Sequence, residues 1–574
     1  MVRDLDVRIV SSSEDSIQIQ FLQKICEEVN AQVRAFVESF KDLVEPDSMT
    51  GEPPGAGHDS SKAFGKACAE IGIIEIVPTY CAVTVYFDPL KTDADSVTKI
   101  ACKALDCANG RLGQNAAAGK LVEIPVCYED SEFAPDLADV AEHTGLSKEE
   151  VIRRHHSRDY LIYMLGFLPG FPYLGGMDGQ LETPRLETPR TKIPAGSVAI
   201  GGKQAGLYPS DSPGGWRIIG RTPLKVFDAK RSPACLYEAG DRIRFVPITR
   251  AQFDEIAERE GASCDSSVPE AASTTAPHQV VAVKPRYICT SGIKILDAGM
   301  CTTVQDKGRF GFEHLGIGQS GVMDAESFSL GNAIAGNTDN AACLEATVLG
   351  PSIEFTLPCE FVITGGICNA ALDDNPIEMN KKYLAHEGSV LECGFIKKGL
   401  RSYICFKGGL LVPEVFGSRS TNLKSKTGGY YGRKLEAGDQ IAVGFCAGET
   451  GMHMSALDIE SGVLVLNCTR GSQFSDFSSD DVKKFENGIF TVLPQSDRMG
   501  IRFSGESLDC GKTDIISDAI PFGAVQITSA GLPVVMAADR QTTGGYAKIA
   551  CVTRHSMCLL AQAVPGTKVR FKII

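Results

Sequence analysis

The chain has 574 residues, of which 43% are hydrophobic and 22% charged, a composition that is typical of globular proteins and excludes wholesale disorder. Lys and Arg total 57 against 71 Asp and Glu, a net charge of −14. This balance excludes most duplex DNA-binding proteins, because those neutralise phosphates with basic groups. No stretch approaches the roughly 18 consecutive apolar residues of a membrane helix, so neither nucleic acid nor a membrane is an expected partner.

The cysteines indicate a reducing compartment. The N-terminus, MVRDLDVRIVSSSED, lacks the apolar core and small-residue cleavage site of a signal peptide. The chain contains 20 cysteines but no CxxC pair. We therefore expect a cytoplasmic protein whose cysteines are reduced and mostly buried as small hydrophobes.

The first 120 residues predict a small α+β domain. Short strands are expected at 7–10 and 17–21, a helix over 22–40 and a second helix around 94–105. Apolar residues alternate between Cys81 and Phe87, which predicts another strand, and a further strand is expected at 121–126. A helix–turn–helix should follow, with Gly145 ending its first helix and Ser147 and Glu150 forming a capping box for its second.

A segment rich in Ser, Ala, Thr and Pro, residues 261–288, predicts a linker that divides the chain into a front part and a back part. From residue 166 onward the front part is punctuated by Gly and Pro and predicts β structure.

An internal repeat relates the two parts. IPAGSVAI at 193–200 matches IPFGAVQI at 520–527, and both are followed by AGL and by GGW or GGY. The two copies end in AGDRIRF at 239–245 and PGTKVRF at 565–571. A fainter third copy has GGLLVP at 408–413 and EAGDQI at 436–441. This spacing predicts one β module that is used three times.

Several turns carry residues that suit anion binding. A Walker A loop is not formed, because 505–513 has five residues between its glycines where four are required. A nucleotide site would therefore have to be built from arginine-bearing turns, which could equally be structural ion pairs. The candidates are Gln305, Arg309, Arg419, Arg498 and Arg540.

The turn DRQTTGGY at 539–546 is a second candidate site. Asp539 could hold Mg²⁺ or act as a base, with Thr543 beside it, or it could form an Asx turn. Gln526, on the strand before this turn, could bind an amide group.

In the front part, Gln204, Tyr208 and Trp216 surround the corresponding turn, where Trp216 either packs over a small ring or anchors the core. His155 shares a helical face with Val151 and is either a satisfied core histidine or a general acid/base. The run GFLPGFPY at 166–173 predicts a rigid loop that could wall a substrate pocket.

Longer motifs carry a family resemblance. In the front part, GFLPGFPYLGGMD, TKIPAGSVAIGGKQAGLYP and SPGGWRIIGRTP resemble the B-type subunit of bacterial 5-oxoprolinase, also called allophanate hydrolase subunit 1. In the back part, TTVQDKGRFGF, GQSGVMDAESF, GSRST, YYGRKLEAGD, SDRMGIRFSG and DRQTTGGYAKIA resemble the C-type subunit of the same enzyme, or allophanate hydrolase subunit 2. The same pair of domains forms the carboxyltransferase region of urea carboxylases.

The resemblance implies a mainly β protein with an α+β N-terminal unit and three cyclophilin-like β-barrels. The expected units are residues 1–120, the first barrel over 121–260, the linker over 261–288, and barrels over 289–460 and 461–574.

The resemblance also implies the activity. A fused B and C component would open 5-oxo-L-proline to L-glutamate with ATP and Mg²⁺ and would need a separate A-type subunit. We expect this chain to phosphorylate the lactam and the partner to complete hydrolysis, with Asp539, Arg309 and His155 as catalytic candidates. Two alternatives stay open: a biotin-dependent urea or amide carboxyltransferase, and a regulator that resembles an inhibitor of a sporulation kinase. The sequence also leaves open a homo-oligomer.

Overall fold

The computed structural model describes residues 7–44, 70–111, 119–265, 292–444, 462–508 and 514–574. Most of the predicted linker and the end of the 505–513 turn lie outside these ranges. Among the described residues, no helix is both long and apolar enough to cross a membrane. The 15 cysteines whose side chains the structure describes are all free thiols.

The N-terminal unit is a four-stranded antiparallel sheet with two helices on one face. Its elements are β1 Arg8–Ser13, β2 Ser16–Gln20, α1 Glu27–Val44, β3 Ile73–Pro78, β4 Ala82–Phe87 and α2 Ala94–Arg111. The sheet order is β1-β2-β4-β3. Ile19, Val83 and Val85 point to the helices and pack with Val33 and Phe36. This confirms the predicted α+β unit, although strand β3 was not predicted.

The other face of this sheet is polar and packs on the back part of the chain. Because side chains alternate along a strand, Ser16, Gln18 and Gln20 of β2 share this face with Thr84 and Tyr86 of β4. All but Gln20 are buried. The sheet is therefore covered on both sides, by its own helices and by the back part.

The front barrel is closed and has seven strands. The elements of this unit are β5 Leu121–Cys127, α3 Asp130–Phe133, α4 Leu137–Thr144, α5 Lys148–His156, β6 Asp159–Leu165, β7 Pro172–Gly175, β8 Arg190–Ile193, β9 Ser197–Gly201, β10 Gln204–Leu207, β11 Ser212–Gly214, β12 Arg217–Arg221, β13 Arg242–Ile248 and α6 Arg250–Asp265, with a 3-10 turn at Gly179–Leu181. The barrel order is β10-β7-β6-β13-β5-β12-β9, and β8 and β11 form a separate ribbon. The predicted helix–turn–helix is confirmed: Gly145 ends α4 at φ 69°, and Ser147 Oγ accepts a hydrogen bond from the Glu150 N–H.

The middle unit consists of two sheets, of seven and five strands, among its described residues. Its elements are β14 Ile293–Asp297, β15 Cys301–Gln305, α7 Ala325–Ala335, β16 Cys343–Thr347, β17 Ser352–Phe355, β18 Cys359–Cys368, β19 Ala371–Leu372, β20 Asn375–Pro376, β21 Lys382–Ala385, β22 Val390–Glu392, β23 Ile396–Phe406, β24 Leu410–Leu411 and β25 Gln440–Val443, with a 3-10 turn at Glu313–Leu315. Its first and last described strands, β14 and β25, pair antiparallel.

The back barrel is closed and again has seven strands. The elements of this unit are β26 Leu464–Arg470, α8 Ser479–Asn487, β27 Phe490–Val492, β28 Gly500–Ser504, β29 Asp514–Ala519, β30 Ala524–Ile527, β31 Pro533–Met536, β32 Thr543–Tyr546, β33 Lys548–Val552, α9 Arg554–Ala561 and β34 Lys568–Ile573, with a 3-10 turn at Phe474–Asp476. The barrel order is β26-β33-β30-β31-β28-β27-β34, and β29 and β32 form a ribbon.

The two closed barrels have the same topology, which confirms the repeat found in the sequence. Each has one parallel contact, between its first and last strands, β5 with β13 and β26 with β34. The matched glycines Gly196 and Gly523 both have positive φ, 82° and 85°. A Cβ atom at either glycine would lie 2.3 Å from Thr222 O or 2.5 Å from Val552 O, so both turns require glycine.

We expect Gly523→Ala to destabilise the protein more than Gly566→Ala. Both positions have positive φ, but a Cβ at Gly566 meets no atom within 4 Å. Gly566→Ala should therefore cost about 1–3 kcal/mol of backbone strain, and Gly523→Ala should cost about 1–3 kcal/mol more from the overlap with Val552 O. Urea unfolding measures both free energies, and equal losses would contradict this packing.

His155 lies in the core of the front barrel. It is fully buried, with its Nδ1 2.9 Å from the Tyr128 hydroxyl and its ring stacked on Phe245 at 4.6 Å. Tyr160 Oη donates to the His155 carbonyl at 2.7 Å. Burial, together with the nearby His156, lowers the pKa of His155 to about 3. These contacts support a core histidine that stays neutral, but it is not fully satisfied, because His155 Nε2 has no hydrogen-bond partner among the described residues.

The His155 site predicts a loss of stability in acid. The depressed pKa stabilises the folded state above pH 6.5, and this contribution is lost as the pH falls from 6.5 toward 3. Between pH 7.5 and 5 the loss should be about 2 kcal/mol. We expect His155→Gln to lose less stability than the wild type over this range in urea unfolding. An unchanged pH dependence would contradict the neutral core histidine.

Candidate functional site

A buried ammonium–carboxylate pair lies where the back barrel meets the polar face of the N-terminal sheet. Lys548 is 1% exposed and forms an ion pair with Asp518 Oδ1. The other oxygen of Asp518 accepts hydrogen bonds from Gln473 Nε2 at 2.9 Å and from Gln18 Nε2 at 3.1 Å. A charge buried inside a protein needs such partners. The network joins the front and back parts, because Gln18 comes from the front and the other three residues from the back.

Backbone pairing fixes the positions of these groups. Asp518 lies on β29 opposite Gly544 of β32, and Lys548 begins β33 opposite Gln526 of β30. The Lys548 N–H donates to Gln473 Oε1 at 3.2 Å. Among the described residues, Gln526 Nε2 is buried without a hydrogen-bond partner. The predicted amide-binding residue is thus next to the ion pair and has a free donor.

A small, partly open cavity lies beside Asp518, with about 210 Å³ of space when the adjoining solvent is included. Gln20 Nε2 donates to Gln18 Oε1 at 2.8 Å, which directs the Gln18 amide nitrogen toward Asp518. Carboxamides and hydroxyls dominate the wall, so the cavity suits a small molecule with amide-like hydrogen-bonding groups. The lining residues are Gln18, Gln20, Gln23, Thr79, Cys81, Ala82, Gln473, Ile516, Ser517 and Asp518.

Tyrosines of the two front units border the same region. The Tyr173 hydroxyl faces Thr543 and Ser517, and burial raises the pKa of Tyr173 to about 12, so it remains a phenol at neutral pH. Tyr80 packs edge-on to Tyr173 at 5.7 Å, and its buried hydroxyl has no partner among the described residues. The Tyr173 hydroxyl is therefore a neutral hydrogen-bonding group beside Ser517, which lines the cavity.

The predicted GFLPGFPY loop contacts the back barrel directly. Thr543 Oγ1 accepts a hydrogen bond from the Phe167 N–H at 3.1 Å. A Cβ at Gly166 would lie 2.2 Å from the same oxygen, so this close approach requires glycine. The loop and the 539–546 turn, both singled out in the sequence, lie against each other.

The three front candidates have different environments. Tyr208 and Trp216 are buried and pack edge-to-face on Phe171 at 5.2 and 5.6 Å. Trp216 is therefore a core anchor of the front barrel, with the Arg185 guanidinium 5.9 Å from its ring. Gln204 begins β10 and is half-buried.

Arg309 and Arg419 hold the backbone of the middle unit. Arg309 Nε donates to Val415 O at 3.1 Å and its Nη2 to Ser420 O, while burial lowers the Arg309 pKa to about 10. Arg419 Nε donates to Val412 O at 3.1 Å. Both guanidiniums therefore stabilise the loop that carries the GSRST motif.

The carboxylate of Asp306 fixes the same GSRST turn. It accepts hydrogen bonds from Ser418 Oγ at 2.6 Å, from the Arg419 N–H at 2.6 Å and from Ser420 Oγ at 2.5 Å. The Asp306 N–H in turn donates to Ser420 Oγ at 3.0 Å. The turn is thus held by local contacts and needs no bound anion to keep its shape.

Asp539 is committed to an ion pair. Arg498 Nε and Nη2 donate to its two oxygens at 3.0 and 3.2 Å, and Arg498 also binds Glu345. Although burial opposes it, the charges of Asp539 and Glu345 raise the pKa of Arg498. Asp539 is a poor Mg²⁺ ligand in this arrangement, and the described residues contain no group of three or more His, Cys, Asp or Glu that could hold a metal ion.

The side chains of Arg540 and Gln305 are also held by hydrogen bonds within the protein. Arg540 Nη2 lies 2.6 Å from Glu313 Oε1, and its Nε donates to Ile520 O at 2.8 Å. Gln305 Nε2 donates to Thr303 Oγ1 at 3.0 Å and to Thr421 O at 3.1 Å. Arg498 and Arg540 thus join the back barrel to the middle unit as structural ion pairs.

Sequence reasoning found Gln526 and Thr543 but missed Lys548, Asp518, Gln473 and Gln18. A signal for Lys548 was present in the repeat. Gln526 faces Lys548 in the back barrel, where Ala199 faces Ile218 in the front barrel. The polar pair replaces an apolar one, and extending the repeat comparison by one strand would have shown it.

Known proteins match both parts of the chain. Residues 58–237 match the family described as carboxyltransferase domain, subdomain C and D, and residues 315–573 match subdomain A and B of the same domain. A solved structure of TTHA0988 superposes with a TM-score of 0.77 at 28% identity and covers 97% of this chain and 99% of its own.

Curated relatives agree with this assignment. The C-type subunit of 5-oxoprolinase from Haemophilus influenzae is 33% identical, over 49% of this chain and 91% of its own length. The B-type subunit of 5-oxoprolinase from Bacillus subtilis is 41% identical, over 32% of this chain and 78% of its own length. The urea amidolyase of Lachancea kluyveri is 30% identical over 48% of this chain but only 17% of its own length. The chain therefore belongs to the carboxyltransferase-domain family of the 5-oxoprolinase B-type and C-type subunits, and it carries both types in one polypeptide.

Proposed function

We propose that the cavity beside Asp518, together with the adjacent Lys548, binds a small amide and activates it. The observation that carries this proposal is a buried ammonium and carboxylate surrounded by carboxamides at the contact between the two parts. An ammonium has three N–H donors and Asp518 takes one of them, so Lys548 can also donate to an amide oxygen. A carboxylate accepts about four hydrogen bonds, and the described contacts use three of them. The fourth position can accept an amide N–H.

For a lactam substrate, this arrangement supports phosphorylation of the amide oxygen. The oxygen attacks the γ-phosphorus of ATP, the bond from that phosphorus to ADP breaks, and Asp518 takes the N–H proton as an imidate phosphate forms. Lys548 stabilises the negative charge that moves through the oxygen and the phosphoryl group. Water then adds to the activated carbon, and the ring C–N bond breaks as the nitrogen takes up a proton, which leaves an acyl phosphate. A second water displaces phosphate from this acyl phosphate and gives L-glutamate.

The whole activity would be that of an ATP-dependent 5-oxoprolinase, which converts 5-oxo-L-proline to L-glutamate together with a separate A-type subunit. The similarity to relatives named as B-type and C-type subunits of 5-oxoprolinase supports this substrate and a multi-subunit enzyme. Mg²⁺ would enter with ATP as part of the nucleotide substrate, since Asp539 is held by Arg498.

The carboxyltransferase name of the matching family supports a second candidate. In that reaction Asp518 would again take an amide proton, and the amide nitrogen would attack the carboxyl carbon of carboxybiotin. The bond from that carbon to the biotin nitrogen would break, and the biotin nitrogen would take up a proton. The two reactions need the same base and the same cation. They differ in whether ATP phosphorus or a biotin-borne carboxyl group is attacked.

We expect Lys548→Met and Asp518→Asn each to lower kcat/KM for 5-oxo-L-proline at least about 100-fold, because each removes a charge that acts on the reacting amide. Glutamate and phosphate release would be measured with the purified chain, an A-type homologue, MgATP and 5-oxo-L-proline. Lys572→Met, an exposed lysine of β34, is the matched control and should keep full activity.

Circular dichroism and thermal unfolding would show that each variant is folded. Wild-type activity in either folded variant would clear this pocket of a catalytic role. Carboxylation of urea with carboxybiotin, and no glutamate from 5-oxo-L-proline, would replace the first candidate with the second.

A further inference from the structure

Two carboxamides donate to the same oxygen of Asp518, and each can do so in only one of its two orientations. Gln473 of the back part donates to Asp518 Oδ2 at 2.9 Å, and Gln18 of the N-terminal sheet donates to it at 3.1 Å. A carboxamide has its donors on one side and its acceptor on the other. A half-turn of either amide would therefore replace a hydrogen bond with a repulsion between two oxygens.

The orientation of Gln473 is fixed by a backbone group of the back part. The backbone N–H of Lys548 can only donate, and Gln473 Oε1 accepts from it at 3.2 Å. The amide nitrogen of Gln473 is therefore left for Asp518. The strand that carries Lys548, β33, thus orients one of the two carboxamides.

The orientation of Gln18 is fixed less directly, through Gln20. The carbonyl oxygen of Ser472 can only accept, and Gln20 Nε2 donates to it at 3.2 Å. The same nitrogen donates to Gln18 Oε1 at 2.8 Å. This leaves the Gln18 nitrogen for Asp518 Oδ2 and for Thr84 Oγ1, which it reaches at 3.3 Å. Both N–H donors of each glutamine are then used.

Burial makes these bonds decisive for the Gln18 amide. Gln18 and Gln20 lie two residues apart on β2 and therefore share the polar face of the sheet. Gln18 is 1% exposed, whereas Gln20 is half-buried. Water cannot readily replace a lost partner of a buried amide, so a rotated Gln18 would leave polar atoms unsatisfied. The neighbours of Gln18, above all Gln20, determine which way its amide points.

We infer that Gln20 is a positioning residue for the proposed reaction, which acts through Gln18 to hold the Asp518 carboxylate beside Lys548. The inference rests on the proposed function of Asp518 and deepens it. No hydrogen bond within the described part of the chain joins Gln20 to Asp518 directly. Gln20 and Gln18 belong to the front part and bind the back part at Ser472 and Asp518. Docking of the front part thus completes the base of the back part.

Gln20→Glu tests this relay with a nearly isosteric change. A carboxylate at position 20 cannot donate to Gln18 Oε1 and attracts the Gln18 nitrogen instead, which turns the Gln18 oxygen toward Asp518. A hydrogen bond to a charged group is then replaced by a repulsion, so kcat/KM for 5-oxo-L-proline should fall at least about tenfold. The assay measures glutamate and phosphate release by the full chain with an A-type homologue and MgATP.

Two comparison variants separate the orientation of the amide from the added charge. Gln20→Lys keeps a donor for Gln18 Oε1 and for Ser472 O, so it should lose less activity than Gln20→Glu. Gln32→Glu makes the same substitution at a half-buried glutamine of α1, on the other side of the sheet, and should keep full activity. Equal losses in Gln20→Glu and Gln20→Lys would overturn the inference.

A double-variant cycle shows whether Gln20 acts through Gln18. Gln18→Met removes the amide and leaves a side chain of similar length. In this background Gln20→Glu should lower kcat/KM less than about twofold further, because the group through which it acts is gone. A further loss of about tenfold would mean that position 20 acts directly on the substrate, and it would overturn the inference.

The same cycle in urea unfolding separates the relay from the proposed function. Gln20→Glu should lower the equilibrium constant for folding at least about tenfold with Gln18 present, and less than about threefold in Gln18→Met. This coupling combined with full activity in Asp518→Asn would overturn the proposed function. Equal losses of stability in the two backgrounds would overturn the relay itself, whatever the activities of the variants.

Discussion

The contact between the two parts depends on the burial of one positive charge, the ammonium of Lys548. An ammonium removed from water is stable only with an opposite charge and further hydrogen bonds close by. Asp518 supplies the charge, while Gln473 and Gln18 saturate the second carboxylate oxygen. Since Gln18 belongs to the N-terminal sheet, the network is complete only when that sheet lies on the back barrel. The B-type and C-type relatives carry these parts on separate chains, and joining them in one polypeptide raises their effective concentration.

The repeated barrel shows how one fold supports two roles. The front barrel keeps Ala199 opposite Ile218, and its histidine is buried among aromatic rings. The back barrel has Gln526 opposite Lys548 at the equivalent strand pair. The backbone is the same in both, down to the positive φ of the matched glycines, so the chemical difference comes from a few side chains. The front barrel contributes a loop and a tyrosine that border the pocket of the other barrel.

The features that depend on short-range patterns were mostly predictable from the sequence. Alternating apolar residues indicated β4, and the capping box indicated the start of α5. The spaced glycines indicated one β module used three times, and the two clear copies are closed barrels with one topology. A barrel was also expected from the fainter third copy, over residues 289–460, and the described strands of this unit form two sheets of seven and five strands. The site was harder, because its groups come together from positions as distant as Gln18 and Asp518. Such contacts leave no trace in local periodicity.

The arginine-bearing turns show the same limit on prediction from local sequence: the turns were found, but the partners of their arginines were not. Arg498 and Arg540 lie in turns that suit anion binding, yet each is taken by a carboxylate far away in the chain, Glu345 or Glu313. Separating such a buried pair would leave an uncompensated charge, which costs more than the pair itself gains. These pairs therefore specify how the middle unit and the back barrel fit together rather than adding much net stability. The Arg540 pair in turn holds the Glu313 carboxyl group beside the Tyr86 hydroxyl of the N-terminal sheet.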